Sequence, residues 1–313
     1  MALTAKRALY IKLGEGDKWA DLSFQSNTLR FGFHKFSHER TLKAARDRDF
    51  TPVKEFYESE GVAPGTATRY SNEVREFYTA GDDVLWITFS NGAMWWCFAE
   101  DEVIPTLAVD SEAEGYRFRK TKNSWSNKDQ KGETLRINAL RGSLTATAGF
   151  RGTICRVKEF DYLLRRLNGE VTPETEAVDA ARRQLIESLK PLICGLHPKD
   201  FELLVELVMT QSGWRRVSAT GGIQKTTDIE LKLPLTDEHA FVQIKSRLDQ
   251  ITTERIVDDL KRVAEGQRVF IAYHTGSIKP HIENDNVILM GPDKLAEHVV
   301  DLGLTTWVMA KVG

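Results

Sequence analysis

Cysteine is scarce in this chain. There are three, Cys97, Cys155 and Cys194, far apart and odd in number. That argues against a disulfide framework and against a cysteine-based zinc site. Each reads as a small core residue rather than a nucleophile. Long hydrophobic runs are missing too: no stretch of about 18 apolar residues exists, so no membrane span is expected. The opening residues, MALTAKRALYIKLGEG, have neither an apolar core nor a small-residue cleavage site. They do not read as a signal peptide, and a cytoplasmic setting is the expectation. No Gly-x4-Gly-Lys-Ser/Thr pattern occurs, which argues against an intrinsic NTP-driven motor. A strong charge of one sign is absent as well. The net charge is −2, so nucleic-acid binding does not follow from bulk composition.

What is present belongs to a folded protein. Of 313 residues, 41% are hydrophobic and 28% charged, and the length favours two domains. Residues 1–168 read as a small mixed α/β domain rich in strands. Alternation predicts a strand at Arg7–Leu13 and another at Leu29–His34. Thr51-Pro52 marks a helix start, and a further helix is predicted from Ala67 to Thr79. Val84–Phe89 and Met94–Phe98 are apolar strands around Asn91-Gly92, a strong hairpin signal. Further strands are predicted at Leu135–Ile137 and Gly152–Val157. Residues 169–194 read as a hinge and a long helix from Pro173, a connector. Residues 195–313 then read α-β-β-β-α-β: a helix at Pro198–Gln211, strands at Trp214–Ala219, Thr227–Leu233 and Ala240–Lys245, a helix at Thr253–Ala264 and a strand at Arg268–His274. Val287–Met290 and Pro292–Leu302 complete it as strand and helix. This is an α/β arrangement with a central mixed sheet.

Chemistry concentrates in the second domain. Asp228 sits on one predicted strand, and Gln243 and Lys245 sit two apart on the next, so alternation gives those two one face. Phosphodiester hydrolysis needs such a set. A carboxylate holds a divalent metal, an ammonium positions water or phosphate oxygens, and an amide oxygen can serve metal or water. Glu202, in an otherwise apolar helix, is a further candidate. Its alternative is an exposed acid favoured by the helix N-terminus. Glu230 is a reserve ligand. By spacing alone, Asp-x14-Gln-x-Lys is a weak signal.

The stretch HPKDFELLVELVMTQSGWRRVSATGGIQKTTDIELKLP, followed by AFVQIKS, resembles the Mrr-type restriction endonucleases of the PD-(D/E)xK superfamily. Phe201-Glu202, Gly213-Trp214, Gly221-Gly222, Asp228-Ile229 and Gln243-x-Lys245 carry the likeness. VFIAYHTG and VILMGPDKLAEHV are similar to that family's closing strands and helix. The resemblance implies a restriction-endonuclease-like fold, with Asp228, Gln243, Lys245 and Glu202 catalytic. It implies Mg2+, or Mn2+ in its place, on Asp228 and Gln243. One departure is visible: Gln224-Lys225-Thr226-Thr227 fills the place where Mrr proteins usually carry a further Asp and Gly, which thins the metal shell.

The first domain offers a different set. Between Gly115 and Arg166 there are thirteen Lys/Arg against four Asp/Glu, enough to neutralise phosphates, or simply a solvated face. Trp86 and Trp96 alternate with apolar neighbours and read as core. Trp19 and Trp125 stand in polar surroundings, where a Trp is more often a contact residue. ALYIKLG, Trp19, GDDVLWITFSNGAMWWCFAE and NSWSNKDQKGETLRI are together similar to the PUA superfamily, especially its YTH and EVE branches. That likeness implies an aromatic cage for a modified base, with Trp19 and Trp125 as walls and Asn123, Ser124 and Asn127 reading the base edge. The combined expectation is a modification-dependent DNA endonuclease of the anti-phage type. A homodimer would supply two cuts. The alternatives are a nucleic-acid-binding protein without catalysis and an RNA-directed nuclease.

Overall fold

A computed structural model describes residues 2–33, 35–106, 114–217, 229–261, 267–277 and 286–313, the side chains at 259–261 and 277 excepted. The chain is mixed α/β. It divides into two compact units, Met1–Thr172 and Pro173–Gly313.

The first unit runs β1 (Arg7–Ile11), α1 (Ala20–Ser26), β2 (Thr28–Phe31), α2 (His38–Asp47), α3 (Thr51–Ser59), α4 (Pro64–Thr79), β3 (Val84–Ser90), β4 (Ala93–Phe98), β5 (Ile104–Pro105), β6 (Arg117–Lys120), α5 (Gly142–Thr145), β7 (Ile154–Arg156) and α6 (Phe160–Leu167). Its main sheet has the order β4-β3-β1-β7, with β1 and β3 parallel. Both faces of that sheet are covered, which is why β3 is largely apolar and buried at every position, Thr88 and Ser90 included. Leu9, Ile11 and Trp86 face one core, and Tyr10, Leu85, Ile87 and Trp96 face the other. Asn91 and Gly92 take positive φ (52° and 73°) in a two-residue turn pairing Ser90 with Ala93, the backbone that a tight hairpin demands. A second sheet has the order β2-β6-β5. The strand expected at Leu135–Ile137 is a correction: Arg136 makes an isolated bridge to Ala93, and Ile137–Ala139 turns as a short 3-10 helix.

The second unit runs α7 (Pro173–Cys194), α8 (Pro198–Gln211), β8 (Arg215–Arg216), β9 (Ile229–Leu233), β10 (Glu238–Asp249), α9 (Gln250–Lys261), β11 (Arg268–Ser277), β12 (Val287–Met290), α10 (Pro292–Asp301) and α11 (Thr305–Val312). From α8 to β11 this is α-β-β-β-α-β. The sheet order is β12-β11-β10-β9-β8. The central strand β10 pairs antiparallel with β9 and parallel with β11. Val242, Ile244, Phe270 and Ala272 face a core shared with α7, α8 and α10. Phe241, Val269 and Ile271 face Ile256 and Val257 of α9. The helix expected as a connector, α7, is built into this unit: Ile186, Leu189 and Ile193 join its core, and Arg182 pairs with Asp301 at 2.6 Å.

Candidate functional site

Two places in the molecule gather buried or half-buried polar groups. The first is on β10. Gln243 and Lys245 share one face of this strand, opposite Ile271 and Tyr273 in the parallel register. Gln243 is 6% exposed and Lys245 is half-buried. Among the described residues, no carboxylate lies within ion-pair distance of Lys245. Glu230 stands opposite Phe241 on this same face, 3.6 Å from His239. Tyr273 is also on this face. Its hydroxyl sits against Gly291, where an added Cβ would lie 2.7 Å from it. Burial, then the Asp293 charge, raises the Tyr273 hydroxyl pKa.

Asp228 lies outside the described residues, as do Gly221 and Gly222. The register runs as far as Ile229 opposite Val242. Glu202 is exposed on α8. That helix buries Phe201, Leu204 and Val208 against the opposite sheet face, the one carrying Val242 and Ile244. The structure therefore brings Gln243 and Lys245 together and leaves Glu202 on the other layer. Among the described residues no three His, Cys, Asp or Glu side chains gather as a metal cluster. Gln243 fits a hard cation through its amide oxygen, but only with a carboxylate beside it.

The second place is in the first unit. Trp19 and Trp125, expected as contact residues and cage walls, are each 6% exposed. Both loops are polar in sequence, yet their rings turn inward. The Trp125 indole N–H donates to the Thr28 carbonyl at 2.9 Å, and its ring meets Phe24 edge-on. Asn123 is committed locally: its Oδ1 accepts from the Phe98 amide and its Nδ2 donates to the Ser124 carbonyl. Ser124 is exposed and Asn127 half-buried. Trp19 is different. It lines a cavity of about 370 Å3, together with Phe33, Tyr57, Tyr70, Arg69 and Glu73. So the structure separates Trp19 from the Asn123–Trp125 loop, and gives Trp19 aromatic companions that sequence reading missed.

Those companions follow from local geometry. Tyr70 and Glu73 are three apart on α4, beside Phe77, so all three fall along one helix stripe. Phe33 has φ of +63°, a costly backbone for a bulky residue. Its ring meets Tyr70 edge-on at 4.9 Å, and Tyr57 meets Tyr70 at 5.2 Å. Glu73 is 2% exposed; its carboxylate makes no hydrogen bond of full geometry, but Thr153 hydrogen-bonds weakly to it and Arg69 Nε lies 3.8 Å away. Burial raises its pKa to about 7, against weaker opposing pulls from Thr153, Arg69 and Lys12. The sequence signal for this site was an acid on the Tyr70–Phe77 stripe.

The basic stretch is also less free than its sequence suggests. Arg117 and Arg119 are buried, with exposures of 2% and 0%. Arg117 donates to the Phe36 carbonyl, and Arg119 to those of Phe77, Ala99 and Glu100. Their guanidinium planes lie over Tyr78 and Trp86. Burial lowers the Arg119 pKa to about 10. These two cations are structural.

No family model matches the sequence, and no curated protein matches it closely. Among solved structures, the chain is similar to the MspJI restriction endonuclease in complex with a 27-mer oligonucleotide, with a TM-score of 0.28 and 13% identity. The likeness covers 79% of this chain and 70% of that one. That score is below the range of a shared fold. No helix among the described residues is long and apolar enough to cross a membrane.

Proposed function

We propose that this protein is a modification-dependent DNA endonuclease whose second unit cuts and whose first unit reads the base. The observation that carries the cutting half is the pairing of Gln243 with Lys245 on one face of the central strand, inside an α-β-β-β-α-β order. An amide oxygen and an ammonium side by side suit a phosphodiester with its metal better than they suit a purely structural sheet face.

In this reading Asp228 and Gln243 offer hard oxygens to Mg2+, or to Mn2+ in its place. That ion, when bound, supplies charge neutralisation and a more acidic water. Lys245 holds a non-bridging phosphate oxygen or the attacking water through its ammonium, and so favours the charge that builds on phosphorus. Its half-buried position limits the motions it must lose on binding. Tyr273 shares the face, with its hydroxyl against Gly291. Glu202, exposed on α8 over the opposite sheet face, stands outside this set. A homodimer would place two such sites on one duplex.

The test is cleavage of matched phage DNAs, unmodified and carrying methylated or hydroxymethylated bases, with Mg2+ and with EDTA. Cutting of one modified DNA only, abolished by EDTA and by Asp228→Ala, is the expected result. Cutting that ignores modification would keep the nuclease and remove the reader. No cutting of any DNA with either metal would leave a binding protein, or an RNA-directed enzyme if single-stranded RNA competes.

A further inference from the structure

We infer that the cavity between Trp19, Phe33, Tyr57 and Tyr70 takes one nucleobase out of its stack, and that Glu73 selects a cytosine- or adenine-type edge. This rests on the nucleic-acid reading above and names the reader's pocket and its ligand class.

Four observations converge. The space, about 370 Å3, is within the range of small-ligand sites and larger than one planar heterocycle. Its aromatic rings meet one another edge-on rather than stacking closed, as the 73° and 75° interplanar angles at Tyr70 show. One face of Phe33 is stacked on Phe31 at 5.0 Å and Arg69 lies over one face of Tyr70, so a flat guest would meet the opposite faces of these rings. Phe33 is held at positive φ, and strain of that kind persists where the surroundings fix a side chain for a purpose. Glu73 lines this space while buried and without a hydrogen bond of full geometry; Arg69 Nε comes no closer than 3.8 Å. A buried carboxyl held only by the long Arg69 pair and by Thr153 keeps part of its desolvation cost. A ligand that satisfies it recovers that cost on binding.

Gly152 shows that the carboxyl's place is reserved. A Cβ there would lie 1.9 Å from Glu73 Oε1, so any larger residue would displace the acid. Arg151, exposed beside it, lines this cavity and a neighbouring one of about 480 Å3 that also contains Lys12. Cations at that rim suit the phosphates flanking an extruded nucleotide.

The choice of edge follows from the form of the acid. Burial raises the Glu73 pKa to about 7 and so favours the neutral carboxyl below that pH; this form presents one O–H donor and one carbonyl acceptor. Cytosine and adenine each present an amino donor beside a ring-nitrogen acceptor. The two patterns match in two hydrogen bonds. A guanine edge presents two adjacent N–H donors and requires the ionised carboxylate instead. The ring faces are indifferent to base identity, so the acid makes the choice.

The experiment measures binding of the full chain, in EDTA, to labelled duplexes carrying one 5-methylcytosine, one N6-methyladenine, one modified guanine or no modification. Wild-type protein should prefer the modified cytosine or adenine duplex to the modified guanine duplex at least about tenfold, since two paired contacts separate them. Glu73→Gln should keep that preference, because an amide offers the same donor and acceptor and also shows that the fold survives. Glu73→Leu and Tyr70→Leu should lose it while keeping binding to unmodified DNA. Preference retained in Glu73→Leu would overturn the pocket and leave modified-base reading intact elsewhere. A preference for modified guanine that Glu73→Gln destroys would overturn the neutral-acid edge. No preference in the wild type would overturn the pocket together with the reader, while cleavage in the Mg2+ assay would still stand on its own.

Discussion

The two units treat buried polar groups differently. The first buries charged side chains, among them Arg30, Arg117, Arg119, Asp129 and Glu73. The arginines reach backbone carbonyls, and Asp129 accepts from the Lys131 and Glu133 amides. Glu73 is held more weakly than these, by Thr153 and by Arg69 Nε at 3.8 Å. The second unit buries Gln243 and His274, and Lys245 stays half-buried. The lesson concerns what burial means. A buried charge whose hydrogen bonds are complete holds a fold together. One whose bonds are incomplete is a cost that a ligand can remove.

That contrast can be broken by pairing substitutions across the units. Lys245→Ala should lower the cleavage rate by about 10²–10³-fold and leave the modified-base preference unchanged in EDTA. Glu73→Leu should do the reverse under limiting DNA. If Lys245→Ala alters the preference, the division of labour is wrong. Next in size is Arg119→Leu, which strands the carbonyls of Phe77, Ala99 and Glu100. It should cost about 3–5 kcal/mol in urea unfolding of the first unit. An unchanged midpoint would show that those contacts are not structural.

Glu73 should give stability a sign that few carboxylates give. Its folded pKa, about 7, is raised above the ordinary 4.5. Its neutral form therefore stabilises the fold fully below pH 4.5, and that contribution is lost as pH rises toward 7. The loss is of order about 3 kcal/mol. Arg69 and Lys12 face the acid and oppose the shift, while Cys155 lies close enough to feel its charge. Glu73→Gln should flatten the fall in urea midpoint between pH 5 and pH 7.5. A wild-type midpoint that rises over that interval, with Glu73→Gln removing the rise, would mean that the acid is ionised and paired.

Smaller effects sharpen the second unit. Gly291→Ala would set a methyl 2.7 Å from the Tyr273 hydroxyl and 2.9 Å from its Cζ. It should cost about 1–3 kcal/mol, partly restored by Tyr273→Phe. Smallest is Arg182→Ala, which removes the exposed pair to Asp301. No measurable shift in unfolding midpoint is expected, because exposed pairs contribute little.

Much of the fold was legible because its signals are local. Asn91-Gly92 between apolar runs could only be a tight hairpin, and Thr51-Pro52 opens α3 as expected. Alternation put Gln243 and Lys245 on one face, and the register with β11 agrees. Helices α1, α2 and α6 were not anticipated. α1 is short and flanked by polar residues, so its apolar stripe is too brief for periodicity to show. That Trp19 and Trp125 are buried was not legible either, for a related reason. Composition along a loop describes the loop's backbone surroundings, not where its one large ring finds room.

The sequence by itself determined the mixed α/β class, the hairpin and the Gln243–Lys245 face. Each depends on residue type and on a spacing of two to four positions. Only the tertiary structure decided that Arg117 and Arg119 turn inward, that α7 joins the second unit, and that Glu73 meets Phe33, Tyr57 and Trp19 around one cavity. Those outcomes depend on which distant carbonyl or ring reaches a side chain, and spacing along the chain carries no record of that.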